Sequence, residues 1–445
     1  MTSAKKPNYT LPIIVMFFLF AMISFVTGFQ NPFGVILKSQ LGLSNLQSQL
    51  GNAANFIAYA FMGLPAGMIL QKKGYKFSAI AAVLVGMVGV ALMFVSSLFE
   101  ATEKDTIITI YLCGAFVAGF SMCMLNTVVN PMLNTLGGGG KTGNQLLQFG
   151  GSLNSLSATI CPVLVGYLMG SNLQNVTLID ARPALYIAFG IFLLAFVVLL
   201  LSKLPEPILE DLKRGGKRTE QPTLAGALKF RHYVGGVVAI FLYVGIEVGI
   251  PNMANLYMTS PLENGGLAMD AAVAGSIVGA YWFLMLVGRL VGGTIAGVVS
   301  SKAMLTIVSA VALALITGAI LMEPTMINVP IINVQAPLNI LLLVLCGLCT
   351  SVMWGGIFNL AAEGLGKYTA VASGFFMVMV CGGGILPLIQ GAVADASNYM
   401  ASYWVLFIAV AYLLYYAVIG SKVTRRDASA KVIEHEVEEG VKLED

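Results

Sequence analysis

The sequence predicts an all-α membrane protein with twelve transmembrane helices in two six-helix, pseudo-symmetric halves. Three observations carry that expectation. Hydrophobic residues make up 58% of the 445 and charged residues only 10%, with a mean hydropathy of +0.86, whereas a soluble domain is about 25% charged. Apolar runs of about 20 residues, the length that crosses a bilayer, recur along the chain. One charged stretch, Lys203 to His232, divides them six and six.

The runs fall at about 11–37, 47–70, 77–98, 106–135, 143–170 and 183–203, then at 233–259, 269–298, 302–322, 336–362, 369–395 and 402–421. The first, from Leu11, outlasts a signal-peptide core and no small-residue cleavage pattern closes it, so it reads as a span. The expected organisation is an N-terminal bundle (1–203), a cytoplasmic linker (204–232), a C-terminal bundle (233–421) and a polar tail (422–445). Lysine and arginine set the orientation. With the N-terminus inside, Lys5, Lys6, Lys72, Lys73, Lys76, Lys141, the linker, Lys302, Lys367 and the tail all lie inside. Only Lys38, Lys104 and Arg182 fall outside. The asymmetry follows the positive-inside rule and predicts a multi-pass protein of the cytoplasmic (inner) membrane with both termini cytoplasmic.

The halves carry a weak internal repeat. Gly28-Phe-Gln-Asn-Pro32 in span one answers Gly245-Ile-Glu-Val-Gly-Ile-Pro251 in span seven, with the prolines offset by two residues. Spans five and eleven each place a proline, Pro162 and Pro387, after a Gly/Ser-rich stretch. Interrupted helices in matching positions of two halves are the mark of a secondary transporter with its site at their interface.

Glu247 is the sharpest single feature. It is a lone acid in the apolar run Phe241 to Asn252, with His232 and Arg231 the nearest basic residues on one side and none on the other until Arg289. A carboxylate at mid-bilayer costs roughly 2.5–3.5 kcal/mol and usually faces a bundle interior or a water cavity. Pro251, four residues on, cannot donate to the Glu247 carbonyl. An acid and a broken helix ladder at one depth predict a binding or coupling site. The competing reading is a packed glutamate with no role.

Amides form a second pattern. Asn126, Asn130 and Asn134 recur every four residues and share one face of span four. Span five carries Gln145, Gln148, Ser152 and Ser155 on one face with Asn154 beside them; span one offers Gln30 and Asn31; span ten brings Trp354 and Asn359. Amides both donate and accept, which suits a ligand rich in hydroxyls, and an indole packs on the apolar face of a pyranose. The competing reading is helix–helix glue at about 1 kcal/mol per contact. Arg289 and Lys72/Lys73 stand at predicted cytoplasmic helix ends and are expected to hold topology and interhelical contacts.

The net charge of +3 is small and gives no reason to expect nucleic acid. The six cysteines all fall in apolar runs, and Cys346-Gly-Leu-Cys349 lacks the His or Cys partners of a metal or redox site. Both histidines, His232 and His435, lie outside the spans. No enzyme activity, cofactor or metal is expected, apart from a sodium ion near Glu247.

Several segments resemble the major facilitator superfamily, and within it the fucose–galactose–glucose:proton symporter group. They are Asn126-Thr-Val-Val-Asn-Pro131, Tyr243-Val-Gly-Ile-Glu-Val248, Gly63-Leu-Pro-Ala-Gly67 and Gly382-Gly-Gly-Ile-Leu-Pro-Leu-Ile-Gln-Gly-Ala-Val-Ala-Asp395. The likeness implies a twelve-helix alternating-access transporter for a sugar. Fucose-transporting members carry an acid in span one, where Asn31 stands, and often Glu or Gln in span four, where Asn126 stands. The span-seven glutamate of glucose/galactose members is kept as Glu247, and Asn154 matches a sugar-contacting amide. The superfamily's loop motif at 66–76 has Gln71 in place of its Asp.

Together these readings predict a secondary active importer of a neutral hexose or deoxyhexose, acting as a monomer in the lipid bilayer. Gln30, Asn31, Asn126, Gln148, Asn154 and Asn359 are expected to hydrogen-bond the sugar, Trp354 to pack on it, and Glu247 to carry the coupling proton or bind sodium. An uncoupled sugar facilitator and an exporter of another small polar or drug-like molecule are the alternatives.

Overall fold

The computed structural model describes residues 9–41, 50–100, 102–169, 179, 181–207, 222–260, 262–269, 271–329 and 334–425. The N-terminal half is built from α1 (Thr10–Leu41), α2 (Leu50–Ser96), α3 (Lys104–Leu136), α4 (Gly140–Met169) and α5 (Arg182–Leu201). At 47 residues α2 would be about 70 Å long if straight, more than twice the roughly 30 Å of a bilayer core. It is two crossings, folded back at Gly74, whose φ of 82° and ψ of −178° interrupt the helix in a region that glycine enters without penalty.

A short linker helix α6 (Leu224–Ala227) precedes the second half: α7 (Arg231–Thr259), α8 (Ala271–Ala296), α9 (Ser301–Leu321), α10 (Leu338–Ser351), α11 (Met353–Ala362), α12 (Thr369–Val378), α13 (Gly382–Ala396) and α14 (Tyr403–Tyr415). The pairs α10/α11 and α12/α13 are each one crossing. The first is interrupted at Val352 and the second by a 3₁₀ turn at Met379–Cys381. Counting both legs of α2, the described residues contain twelve crossings, as the sequence predicts. Between α9 and α10 lies an antiparallel hairpin, β1 (Met326–Val329) with β2 (Val334–Pro337), in the register Met326↔Pro337 to Val329↔Val334. The sequence reading missed it, although β1 carries Ile327 and Val329 and β2 begins at Val334, β-branched residues that favour a pleated pair.

The loops after the first leg of α2, after α3, before α7, after α8 and after α11 gather at one end of the bundle, here the linker end. There the Glu206 carboxylate accepts the Tyr75 and Lys76 backbone N–H groups, both at 2.7 Å, and so caps the second leg of α2. Lys76 Nζ donates to the Leu200 carbonyl of α5 at 2.9 Å and to that of its C-cap residue, Ser202, at 2.7 Å. Gln71 Nε2 donates to the Pro222 carbonyl at 3.0 Å and ties the linker to the same corner.

The halves meet along a seam that runs from the linker end to mid-depth. Gly63 and Gly67, one turn apart on α2, face Gly374 on α12. A Cβ on Gly63 would stand 2.6 Å from the Gly374 carbonyl oxygen, and one on Gly67 2.9 Å from the Ala370 oxygen. Small residues at this spacing let two backbones touch, the usual device for membrane helices. This explains the Gly63-Leu-Pro-Ala-Gly67 run. Farther along the seam Asn144 Nδ2 meets Met304 Sδ at 3.7 Å, and Asn359 Nδ2 donates to the Gly140 carbonyl.

Candidate functional site

At mid-depth the seam is organised around one ion pair. Arg289 Nη2 lies 3.1 Å from Glu247 Oε1, with the two side chains 11% and 17% exposed. The other arms of the guanidinium are also engaged. Nη1 donates to the Gly151 carbonyl at 3.1 Å and to Ser155 Oγ at 2.5 Å, both on α4 of the opposite half; Nε donates to the Ser351 carbonyl at 3.4 Å. A planar guanidinium presents its donors in a fixed fork, so Arg289 holds α4, α7 and α10 in one arrangement. Of these contacts only those to α4 cross the seam.

The proline break beside Glu247 has a partner as well. Tyr281 Oη donates to the Glu247 carbonyl at 3.3 Å, the acceptor that Pro251 cannot serve, and shares a 3.0 Å hydrogen bond with Thr350 Oγ1. Tyr281, Met285 and Arg289 are spaced by four and so share one face of α8. That face therefore supplies both the ion-pair partner and the substitute donor.

A second constellation lies between α3 and α11. Trp354 Nε1 donates to Asn130 Oδ1 at 3.0 Å across the seam. Asn130 Nδ2 donates to the Asn126 carbonyl at 2.9 Å and to Asn126 Oδ1 at 3.3 Å; Asn126 Nδ2 donates to Tyr59 Oη at 2.9 Å and to the Met122 carbonyl at 3.1 Å. Around the indole stand Tyr243 and Phe376, with ring centroids 6.1 and 6.4 Å away. The outcome is a buried strip of linked amides with an aromatic wall.

The structure places the remaining predicted residues as follows. Gln148 Nε2 donates to the Val352 carbonyl at 2.9 Å, across the seam at the break between α10 and α11. Asn154 Nδ2 donates to the Phe20 carbonyl of α1 at 2.9 Å. Asn359 lies at the linker end with Gly140, Lys141 and Ser300 rather than beside Trp354. The side chains of Gln30 and Asn31 lie outside the described residues. Among the described residues no group of three His, Cys, Asp or Glu gathers to hold a metal, and Cys346 and Cys349 are free thiols.

Arg289 is the functional candidate that sequence reasoning misplaced. It is not at a helix end but seven residues inside α8, whose last residue is Ala296, paired with the acid. The signal was available. An arginine within a span is as costly as an acid, and buried charges of opposite sign pair with one another.

Twelve crossings in two halves, closed along a seam with a buried ion pair at its centre, define a polytopic helical membrane transporter. The chain belongs to the Major Facilitator Superfamily, whose family profile matches residues 16–388. It is 31% identical over 432 residues to the glucose/galactose transporter of Brucella abortus biovar 1 (strain 9-941), covering 95% of this chain and 96% of that one. It is 23% identical over 419 residues to the L-fucose-proton symporter of Escherichia coli (strain K12), covering 88% and 90%. In fold it is similar to the crystal structure of the transporter FucP in the outward conformation, with a TM-score of 0.76, 21% identity, and coverage of 93% of this chain and 100% of that one.

Proposed function

We propose that this chain imports a neutral monosaccharide, a hexose or deoxyhexose, by proton symport through alternating access. The near full-length similarity to a glucose/galactose transporter and to an L-fucose-proton symporter supports the substrate class and the coupling ion. The observation that carries the mechanism is the ion pair at the seam. Arg289 reaches Glu247 in its own half and Gly151 and Ser155 in the other. Whatever neutralises Glu247 frees one arm of a guanidinium that also holds the halves together. A proton on Glu247 thus loosens the same contact that must part when the linker end opens. Arg289 already occupies the position beside Oε1 that a sodium ion would take, which favours the proton.

In this reading the bundles 1–203 and 233–421 rock against each other about the seam. The linker 204–232 and tail 422–445 lie in the cytoplasm, both termini included, and the protein acts as a monomer in the inner membrane. The seam closed at the linker end then corresponds to a transporter open to the outside. Asn126, Gln148, Asn154, Glu247 and Trp354, with Gln30 and Asn31 of α1, bind the sugar as the amides exchange partners. Asn359, at the linker end, binds it only as it leaves. The test is uptake of a labelled sugar panel into vesicles with proton, sodium or no gradient. Proton-driven accumulation of a hexose supports the proposal; equal, non-concentrative uptake under all three conditions leaves an uncoupled facilitator.

A further inference from the structure

A cavity of about 360 Å³ opens at the linker end where the halves meet, within the size range of small-molecule sites. Its wall combines Gly140 and Lys141 of the N-terminal half with Ser300, Ser301, Lys302, Asn359, Glu363 and Lys422 of the C-terminal half. Three lysines stand there against one carboxylate. Two helices also begin there: α4 at Gly140 and α9 at Ser301. The first N–H groups of a helix have no intrahelical acceptor and favour an anion. In α9 the Ser300 hydroxyl accepts from Ala303 N at 3.3 Å, leaving the Ser301 and Lys302 N–H groups ahead of it. Ser301 is 6% exposed and its hydroxyl has no hydrogen-bond partner among the described residues. The approach to α4 is the run Leu136-Gly-Gly-Gly-Gly-Lys141, with positive φ at Gly138, Gly139 and Gly140. No Cβ on Gly139 or Gly140 would meet a neighbour within 4 Å, so these glycines are needed for backbone conformation rather than for space.

We propose that this cavity binds a phosphoryl group, and that the bound anion bridges Lys141 of one half to Lys302 and Lys422 of the other. Nothing in the transport cycle proposed above uses these three lysines. An occupant held by both halves stabilises the closed seam and slows opening at the linker end. The same chemistry is offered by a free phosphorylated metabolite and by the headgroup of an anionic phospholipid. Inorganic phosphate probes the first, and vesicles of phosphatidylglycerol against phosphatidylcholine probe the second. Thermal unfolding of the purified full-length protein is followed in each, with chloride at matched ionic strength as control. At phosphate about tenfold above its dissociation constant the midpoint should rise by about 1.5 °C. Lys141→Glu and Lys302→Glu change exposed side chains, so their midpoints without phosphate should equal that of the wild type; each should abolish the rise. A phosphate response lost in both variants supports a soluble ligand. A response to phosphatidylglycerol alone, again lost in both, supports a lipid headgroup. No response to either probe, or one that survives both charge reversals, overturns the proposal.

Discussion

Arg289→Met isolates the contact that holds the seam at mid-depth. Methionine keeps the unbranched apolar stem of the side chain and removes its five donors. Two of the lost bonds cross between the halves, to the Gly151 carbonyl at 3.1 Å and Ser155 Oγ at 2.5 Å. A hydrogen bond from a charged group contributes about 1.5–3 kcal/mol. At the lower bound the pair contributes about 3 kcal/mol to the closed seam, with little discount because the side chain is only 11% exposed. At 1.4 kcal/mol per decade the state open at the linker end gains about 100-fold in population. The variant also strands Glu247, and breaking a buried pair costs about 3–5 kcal/mol of stability, whereas replacing both partners with apolar groups is often near neutral. The double variant Arg289→Met/Glu247→Leu therefore separates seam from stability. The assay is the alkylation rate of Asn144→Cys, a fully buried seam position, in a background lacking the native cysteines. Both the single and the double variant should be alkylated up to about 100-fold faster, and only the single should lose thermal stability. An unchanged alkylation rate in both variants refutes the assignment of Arg289 as a contact that holds the halves together.

Gly374→Leu should abolish uptake while leaving helix content by circular dichroism unchanged, because a side chain there collides with Gly63 and Gly67 and the linker end cannot close; wild-type uptake would show that the contact is dispensable. Asn126→Leu and Asn154→Leu should each lower equilibrium sugar affinity about tenfold or more, equivalent to one or two lost hydrogen bonds, and unchanged affinity in both would remove these amides from the site. A cysteine introduced for Lys213 in the linker should resist an impermeant thiol reagent applied outside intact cells, and labelling from outside would invert the proposed orientation.

The spans and their division were legible because hydropathy and lysine placement are local properties of the chain. Glu247 was legible for the same reason, as an isolated charge in an apolar run. Arg289 was readable in the same way, as a second charge within a span, but the contact itself was not, since Arg289 is 42 residues away and meets Glu247 only when α8 packs beside α7. The amide stripes were seen as a set, but their partners were hidden. Asn126 and Asn130 bond each other and Trp354, whereas Gln148 and Asn154 reach backbone carbonyls on other helices. Such acceptors carry no sequence signature. Asn359 was grouped with Trp354 because both lie in span ten. Five helical residues separate them by roughly 7.5 Å along the axis and about 140° around it, which is enough to place Asn359 at the linker end. The interruption at Val352 has neither Gly nor Pro to announce it, and packing decides it. The break at Gly74 was legible from the Lys-Lys-Gly-Tyr-Lys sequence around it, and the expected spans 47–70 and 77–98 divide there.

The central claim is that Glu247 transmits the coupling proton to the seam through Arg289. The direct measurement compares the wild type with Glu247→Gln in proteoliposomes, using labelled glucose and galactose under an imposed proton gradient and in sugar exchange without one. Glutamine has the shape of protonated Glu247 and cannot take up or release a proton, so the Arg289 pair is held in its neutralised form and the coupling is removed. The account predicts that the wild type accumulates sugar above equilibrium, while Glu247→Gln only equilibrates it and still exchanges sugar. Concentrative uptake at the wild-type level in Glu247→Gln would contradict it and leave Glu247 a structural partner of Arg289.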